Sequence, residues 1–333
     1  MKTTEEVKTM KAIRFEEYGG PDVLKYIDID KPEIGDREVL VHVKAIGVNY
    51  ADTARREGKY VVPTELPFIP GAEIAGEIVA VGKDVKRFKI GARVVSLIEA
   101  EGYAEYAKVH EMALAPIPDS VEFKDAVALP LQGQTAYHIL KTMGRLEKGE
   151  TVLVHAAAGG VGAIAVQLAK IFGAGKVIAT ASSDEKLAHA KKMGADHLIN
   201  YTEEGWELKV RELTGGKGAD VALEMVGGDI FDKTLKCLAP FGRLVIFGAA
   251  SGEQAQLYAG QLMRRNQSVI GFFLPQIIQL PELYQNSFKE LLGYIDSGEL
   301  KLTIGGTFKL EEAAEAHRLL QGRKTIGKLV LLP

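Results

Sequence analysis

Residues 151–170 read TVLVHAAAGGVGAIAVQLAK. An apolar run of strand type, TVLVHA, ends on Ala157-Ala158-Gly159-Gly160-Val161-Gly162, and a helical pattern begins inside that cluster. The cluster is a variant of the G-x-G-x-x-G turn with alanine in the first place. A second strand, KVIATAS, follows from Lys176, which completes the strand, turn, helix and strand order of a dinucleotide turn. Backbone N–H groups at a helix N-terminus can hold a pyrophosphate only where no Cβ intervenes. Gly159 and Gly160 remove it at the closest approach, and Gly162 lets the helix lie close on the strand. Tight packing alone would also use these glycines, but the flanking strands favour a cofactor site.

The alternation continues outward from this turn. A helix is expected at DEKLAHAKKMG, a strand at HLINY, a helix at EGWELKVRELTG, a strand at ADVALEMVG, a helix at IFDKTLKCLA, a strand at GRLVIFG and a last strand at SVIGFF. This order predicts an α/β domain with a doubly wound, parallel, six-stranded sheet over residues 133–274. Upstream the pattern is different. Short β-branched runs broken by Gly, Pro and Asp, such as EVLVHVKAIGV, EIAGEIVAVG and ARVVSL, predict an antiparallel barrel-type domain over residues 1–132. After Pro275 the alternation stops, so residues 275–333 are expected to return to that first domain.

Length and composition agree with two domains. The chain has 333 residues, 47% hydrophobic and 26% charged, ordinary values for a folded soluble chain. A formal charge of -3 offers no bulk attraction for nucleic acid or anionic lipid. The single cysteine, Cys237, can form no intramolecular disulfide and no cysteine-rich zinc cage, which points to a reducing compartment. No apolar run approaches a membrane span, and the N-terminal MKTTEEVKTMKAIRF has charges where a signal peptide is apolar. The expected location is cytoplasmic.

The end of the second strand bears on which dinucleotide binds. An NAD site usually places a carboxylate there for the ribose hydroxyls, whereas this chain reads Ala181-Ser182-Ser183. Ser182, Lys186 and Tyr201 are candidates for a 2′-phosphate, so NADPH is expected. A shift of two residues would instead bring the Asp184 carboxylate to the ribose and favour NADH. Phe247 and Gly248, in the turn after the fifth strand, are candidates to approach the nicotinamide. Phe273, at the last strand, is read as pocket wall or interface.

In order and spacing, GVNYADTARREGKY, LPFIPGAEIAGEIVAVG, LPLQGQTAYHIL and the glycine turn resemble the medium-chain dehydrogenase/reductase superfamily, in its zinc-free, zeta-crystallin-like NADPH:quinone oxidoreductase branch. The resemblance covers nearly the whole chain. It implies a GroES-like catalytic domain, a Rossmann cofactor domain and a homodimer formed through the last strand of the Rossmann sheet. Zinc members carry a cysteine in a G-x-C segment, then G-H-E, then a second cysteine. Here those places read Gly47-Val48-Asn49, Gly71-Ala72-Glu73 and Leu129-Pro130-Leu131-Gln132, so no metal is expected. Asn49 is a candidate donor whose amide can bond either the substrate oxygen or the nicotinamide ribose; by resemblance its place lines the nicotinamide cleft, and Thr135 lies near the nicotinamide or phosphate.

Tyr50 and Tyr137 are candidate proton donors or stacking surfaces, with a core role as the alternative for each. Without a Lewis acid the acceptor must need only hydrogen-bond polarisation. The expected reaction is therefore hydride transfer from NADPH to a quinone or an α,β-unsaturated carbonyl. The competing readings are a zinc alcohol dehydrogenase, which the missing ligands disfavour, and a non-catalytic NADPH-binding crystallin-like or RNA-binding protein. Binding to nucleic acid has no basic, aromatic-interleaved cluster to support it.

Overall fold

The computed structural model describes residues 8–253 and 255–333. The first part of the charged N-terminal stretch lies outside them. The chain divides into two compact units, one formed by the chain up to Leu131 together with Ile304–Pro333 and the other by Gln132–Thr303.

The second unit is built on six strands in the spatial order His197–Asn200, Lys176–Ala181, Thr151–Val154, Ala219–Glu224, Leu238–Ile246 and Ser268–Gly271. Every neighbouring pair is parallel. The chain enters at Thr151–Val154, winds outward to His197–Asn200, then crosses back to Ala219 and winds the other way. The order therefore reverses beside Thr151–Val154, and such a switch point opens a crevice at the carboxyl ends of the strands. Val152, Leu153, Val177, Ile178, Val221 and Leu223 are all fully buried, as strands covered on both faces require. Cys237 lies in the same core, and burial pushes its thiol up to about 12. It serves as a small apolar group.

The first unit holds a sheet in the order Ile304–Lys309, Lys328–Leu332, Glu38–Val48, Glu73–Val81, Arg93–Leu97 and Leu114–Pro116. The long strand Glu38–Val48 pairs with Tyr106–His110 along its first half and with Lys328–Leu332 along its last residues. Val39, Val41 and Val43 alternate inward onto a core with Ile13, Ile74, Ile78, Tyr103 and Leu329.

The pairs formed within residues 1–132 are antiparallel, and Ile304–Lys309 and Lys328–Leu332, joined by the crossover helix Ala313–Gln321, add one parallel pair. Two expectations need correction. The strand Lys25–Asp30 was missed; it pairs with Thr9–Arg14 and is mostly exposed, although Ile27 and Ile29 alternate with Asp28 and Asp30 and were a legible strand signal. The return to the first unit comes at residue 304 and not at 275. The helix Pro281–Asp296 stays with the second unit because Ser287 Oγ donates to Gln134 Oε1 at 2.7 Å and Glu290 Oε2 accepts from the Tyr137 hydroxyl at 2.9 Å.

Candidate functional site

In the second unit the strand Thr151–Val154 runs into a tight turn in which Ala156 has φ 49°, a left-handed conformation uncommon outside glycine. Ala157 N donates to Thr180 O at 3.0 Å and ties the turn to the neighbouring strand. Gly159 caps the helix Gly160–Ile171 without a side-chain hydrogen bond, and the first turn of that helix carries no acidic residue. Its N–H groups and the positive end of its dipole together favour an anion.

The glycines of the turn have separate reasons. At Gly162 a Cβ would collide with Ala156 O and stand 2.8 Å from Ala157 Cα, so this glycine is needed for helix and strand to pack. At Gly159 the nearest atom to a Cβ would be Ala156 O at 3.3 Å. That is a closer approach than a Cβ usually makes to a backbone oxygen, so a side chain fits at Gly159 only if the turn gives slightly. At Gly160 a Cβ would run into the Gln132 side-chain amide. That contact brings the Gln132 side chain to the turn, a cofactor-side place the sequence reading did not give it.

The remaining cofactor candidates gather past strand ends. Ser182 and Lys186 follow Lys176–Ala181, and Ser183 caps the helix Asp184–Lys192, its Oγ accepting from Lys186 N at 3.4 Å. Tyr201 N donates to Ala181 O at 3.2 Å, and its ring packs on the core. Asp184 is exposed in the first turn of that helix, beyond the cap, so the strand end itself carries no carboxylate. Phe247 and Gly248 follow Leu238–Ile246, with Phe247 N bound to Glu224 O at 3.0 Å. Phe273 follows Ser268–Gly271 and is 37% exposed. Thr135 is buried in the helix Gln134–His138, which packs against the glycine-turn helix.

Of the two roles open to Tyr137, its contacts support the core one. Its hydroxyl is held by Glu290, its ring meets Phe172 edge-on at 5.4 Å, and Lys141 lies over it at 4.9 Å. It joins two helices of the second unit.

In the first unit Asn49 ends the strand Glu38–Val48 and caps the helix Tyr50–Arg56, and it is 3% exposed. Its backbone N–H donates to Asp52 Oδ2 at 2.8 Å, so Asp52 serves the cap. Its side-chain Nδ2 donates to Glu73 Oε2 at 2.7 Å and reaches Gly47 O at 3.5 Å, and its Oδ1 accepts from Lys328 Nζ at 2.8 Å. Lys328 is also ion-paired with Glu73, and Glu73 Oε1 accepts from Leu131 N at 2.6 Å. An ammonium cannot accept and a carboxylate cannot donate, so the amide orientation is fixed by its partners. Gly47 makes the arrangement possible, because a Cβ there would collide with Glu73 Oε2 and stand 2.8 Å from Lys328 Nζ. Tyr50 is half-buried at the first position of the helix.

Below Asn49 a hydrogen-bonded file runs through the core. Arg56 Nη1 faces His317 Nδ1 at 3.0 Å, His317 Nε2 faces the Tyr103 hydroxyl at 3.0 Å, and that hydroxyl reaches Asp52 Oδ2 at 3.3 Å. Burial pushes the Asp52 carboxyl up to about 6 and the His317 imidazole down to about 3. The places where zinc relatives carry ligands thus converge, and here they are Asn49, Ala72, Glu73 and Leu131, with a lysine ammonium between Asn49 and Glu73. Among the described residues no group of three or more His, Cys, Asp or Glu converges to hold a metal. A neutral amide and a carboxylate already paired with an ammonium do not fit a zinc ion.

The model of the alcohol dehydrogenase GroES-like domain matches residues 35–119, and that of the zinc-binding dehydrogenase matches residues 160–296. The chain is 42% identical to a quinone oxidoreductase of Pseudomonas aeruginosa over 97% of this chain and 99% of that one. It superposes with a TM-score of 0.92 on a mycobacterial protein complexed with NADPH, at 39% identity over 97% of this chain and 100% of that one. The Escherichia coli quinone oxidoreductase complexed with NADPH gives the same TM-score of 0.92, at 36% identity over 97% of this chain and 100% of that one.

Proposed function

The chain belongs to the quinone oxidoreductase branch of the medium-chain dehydrogenase/reductase superfamily, and on that premise we propose how its own residues carry out NADPH-dependent, zinc-independent reduction of a quinone. The observation that carries the reading is the gathering of the dinucleotide candidates past the carboxyl ends of parallel strands, around a glycine turn that opens a helix with no acidic residue in its first turn. Bound there, NADPH supplies a hydride.

The first-turn N–H groups of the helix Gly160–Ile171, entered through Ala157, Gly159, Gly160 and Val161, hold the pyrophosphate, and Gly162 keeps that helix close to its strand. Ser182, Lys186 and Tyr201 take the 2′-phosphate, where the Ala181-Ser182 strand end presents no carboxylate to repel it. Thr135, Phe247, Gly248 and Phe273 serve the nicotinamide half.

In the first unit Asn49 donates to the acceptor carbonyl. Its N–H toward Gly47 O, at 3.5 Å, makes a marginal bond that a substrate oxygen would replace. A quinone that accepts a hydride at this donor needs one proton to become a hydroquinone, and the Tyr50 phenol or water provides it.

Two copies pair through the edge strand Ser268–Gly271, which among the described residues bonds only to Leu238–Ile246 within the chain. No helix among the described residues is long and apolar enough to cross a membrane. With its one buried thiol, the chain suits the cytoplasm. Nucleic acid is not its ligand.

Steady-state NADPH consumption with a quinone panel and an enone panel tests the reading. Turnover with quinones is expected. Turnover with enones alone would reassign the acceptor, and binding of NADPH without turnover on either would leave a non-enzymatic binding protein.

A further inference from the structure

The side chains that converge at the ends of three neighbouring strands, Asn49 after Val48, Glu73 opening its strand and Lys328 opening the last, form a closed buried triad. Strand register places them side by side, with Gly47 opposite both Glu73 and Val330. Lys328 is 2% exposed and Glu73 is 0% exposed. Burying two charges is unfavourable unless geometry is good and the remaining lone pairs and protons are satisfied. Here Glu73 accepts from Lys328, Asn49 and Leu131 N, and Lys328 donates to Asn49 and Glu73.

A neutral acceptor in place of Glu73 with an apolar residue in place of Lys328 would satisfy Leu131 N without burying two charges, so folding alone does not call for the charges. What they add is direction. The amide of Asn49 can sit only with its oxygen toward Lys328 and its nitrogen toward Glu73.

We propose that Lys328 is a positioning residue for hydride transfer: its ammonium, paired with Glu73, holds the Asn49 amide in the one orientation that presents an N–H to the acceptor carbonyl. This rests on the assignment of Asn49 as that donor. Lys328 itself touches neither acceptor nor coenzyme. It supplies by hydrogen bonding the fixed orientation that a metal supplies by coordination, at the place where the zinc ligands are missing.

The test uses Lys328→Met, Lys328→Arg and the double variant Lys328→Met with Glu73→Gln, which removes both charges and keeps an acceptor for Leu131 N. Lys328→Met is expected to lower kcat about tenfold or more, a usual consequence of a misplaced reacting group. Its KM for NADPH should stay within about twofold, because uniform cofactor binding is untouched. Lys328→Arg should recover most of kcat. The double variant should regain thermal stability and stay slow, since the amide is then free to turn round.

A folded Lys328→Met with wild-type kcat, or a double variant that regains both stability and kcat, would overturn the proposal. If Lys328→Met does not fold, the arginine and double variants decide on the same criteria. The nitrogen-15 spectrum gives a readout that needs no turnover, with the Asn49 side-chain pair assigned by its loss in Asn49→Ala. In the double variant that pair should shift and lose protection from exchange. Unchanged signals would sink the proposal even if no quinone were reduced, while shifted signals beside a wild type inert toward quinones would fault only the assigned reaction.

Discussion

His317 Nδ1 and Arg56 Nη1 face each other at 3.0 Å in the core of the first unit. A guanidinium only donates, so Nδ1 accepts, and the proton of the neutral imidazole sits on Nε2 and points at the Tyr103 oxygen 3.0 Å away. The Tyr103 proton is then left for Asp52 Oδ2. This directed file needs a neutral His317.

Acidification will therefore unfold the protein through its histidines. Burial lowers His317 and His155 to about 3 and His138 to about 4. Below the ordinary histidine value near 6.5 the unfolded chain takes protons that the native chain refuses, so stability falls as pH drops, by about 1.4 kcal/mol per unit for each such group. Asp52 works the other way: raised to about 6, it is protonated natively between its two values and gains stability on acidification. Three histidines outweigh one aspartate. Tm should fall steadily from pH 6.5 to 4, and a flat Tm across that window would contradict the buried neutral assignments.

The glycines of the turn should separate stability from binding. Gly162→Ala forces a Cβ into Ala156 O and Ala157 Cα, and overpacking of this kind costs about 1–3 kcal/mol. Gly159→Ala has only Ala156 O at 3.3 Å to meet, a tight contact and not a collision, so it should lower Tm less than Gly162→Ala does while the affinity for NADPH drops. Thermal melts with and without NADPH distinguish the two, since ligand stabilisation follows mass action. Equal stabilisation of Gly159→Ala and wild type by NADPH would be the adverse result.

Coenzyme choice should lie in the corner formed by Ser182, Lys186 and Tyr201. Ser182→Ala combined with Lys186→Ala should raise KM for NADPH about tenfold, the scale of a lost charge-assisted contact, and leave KM for NADH nearly unchanged. Parallel losses for both coenzymes would remove the 2′-phosphate from this corner.

Tyr137→Phe separates the core role of that residue from a catalytic one. Loss of its bond to Glu290 should lower stability by about 1 kcal/mol with kcat unchanged. A large fall in kcat at normal stability would return Tyr137 to the chemistry.

The cofactor half was legible because its signals are local. The glycine cluster, the strand that enters it and the missing carboxylate at Ala181-Ser182 lie within one short stretch, and the apolar runs of the parallel strands are almost continuous. The triad was not legible, since Asn49 and Lys328 stand 279 positions apart and only the pairing of the last strand with Glu38–Val48 joins them. One clue was available: Lys328 heads the apolar run Leu329-Val330-Leu331, where a charge needs a partner. The role of Tyr137 was left open for a related reason. A sequence pattern places a residue on a helix but does not say that the distant helix Pro281–Asp296 covers that face.

The most direct test of the account is NADPH oxidation by a quinone, measured before and after the purified protein is stripped with a chelator and its metal content assayed. The account predicts the same turnover in both samples, with hydroquinone formed in step with NADPH consumed. Activity that disappears on stripping and returns with added zinc, or no hydroquinone from any quinone, would contradict it.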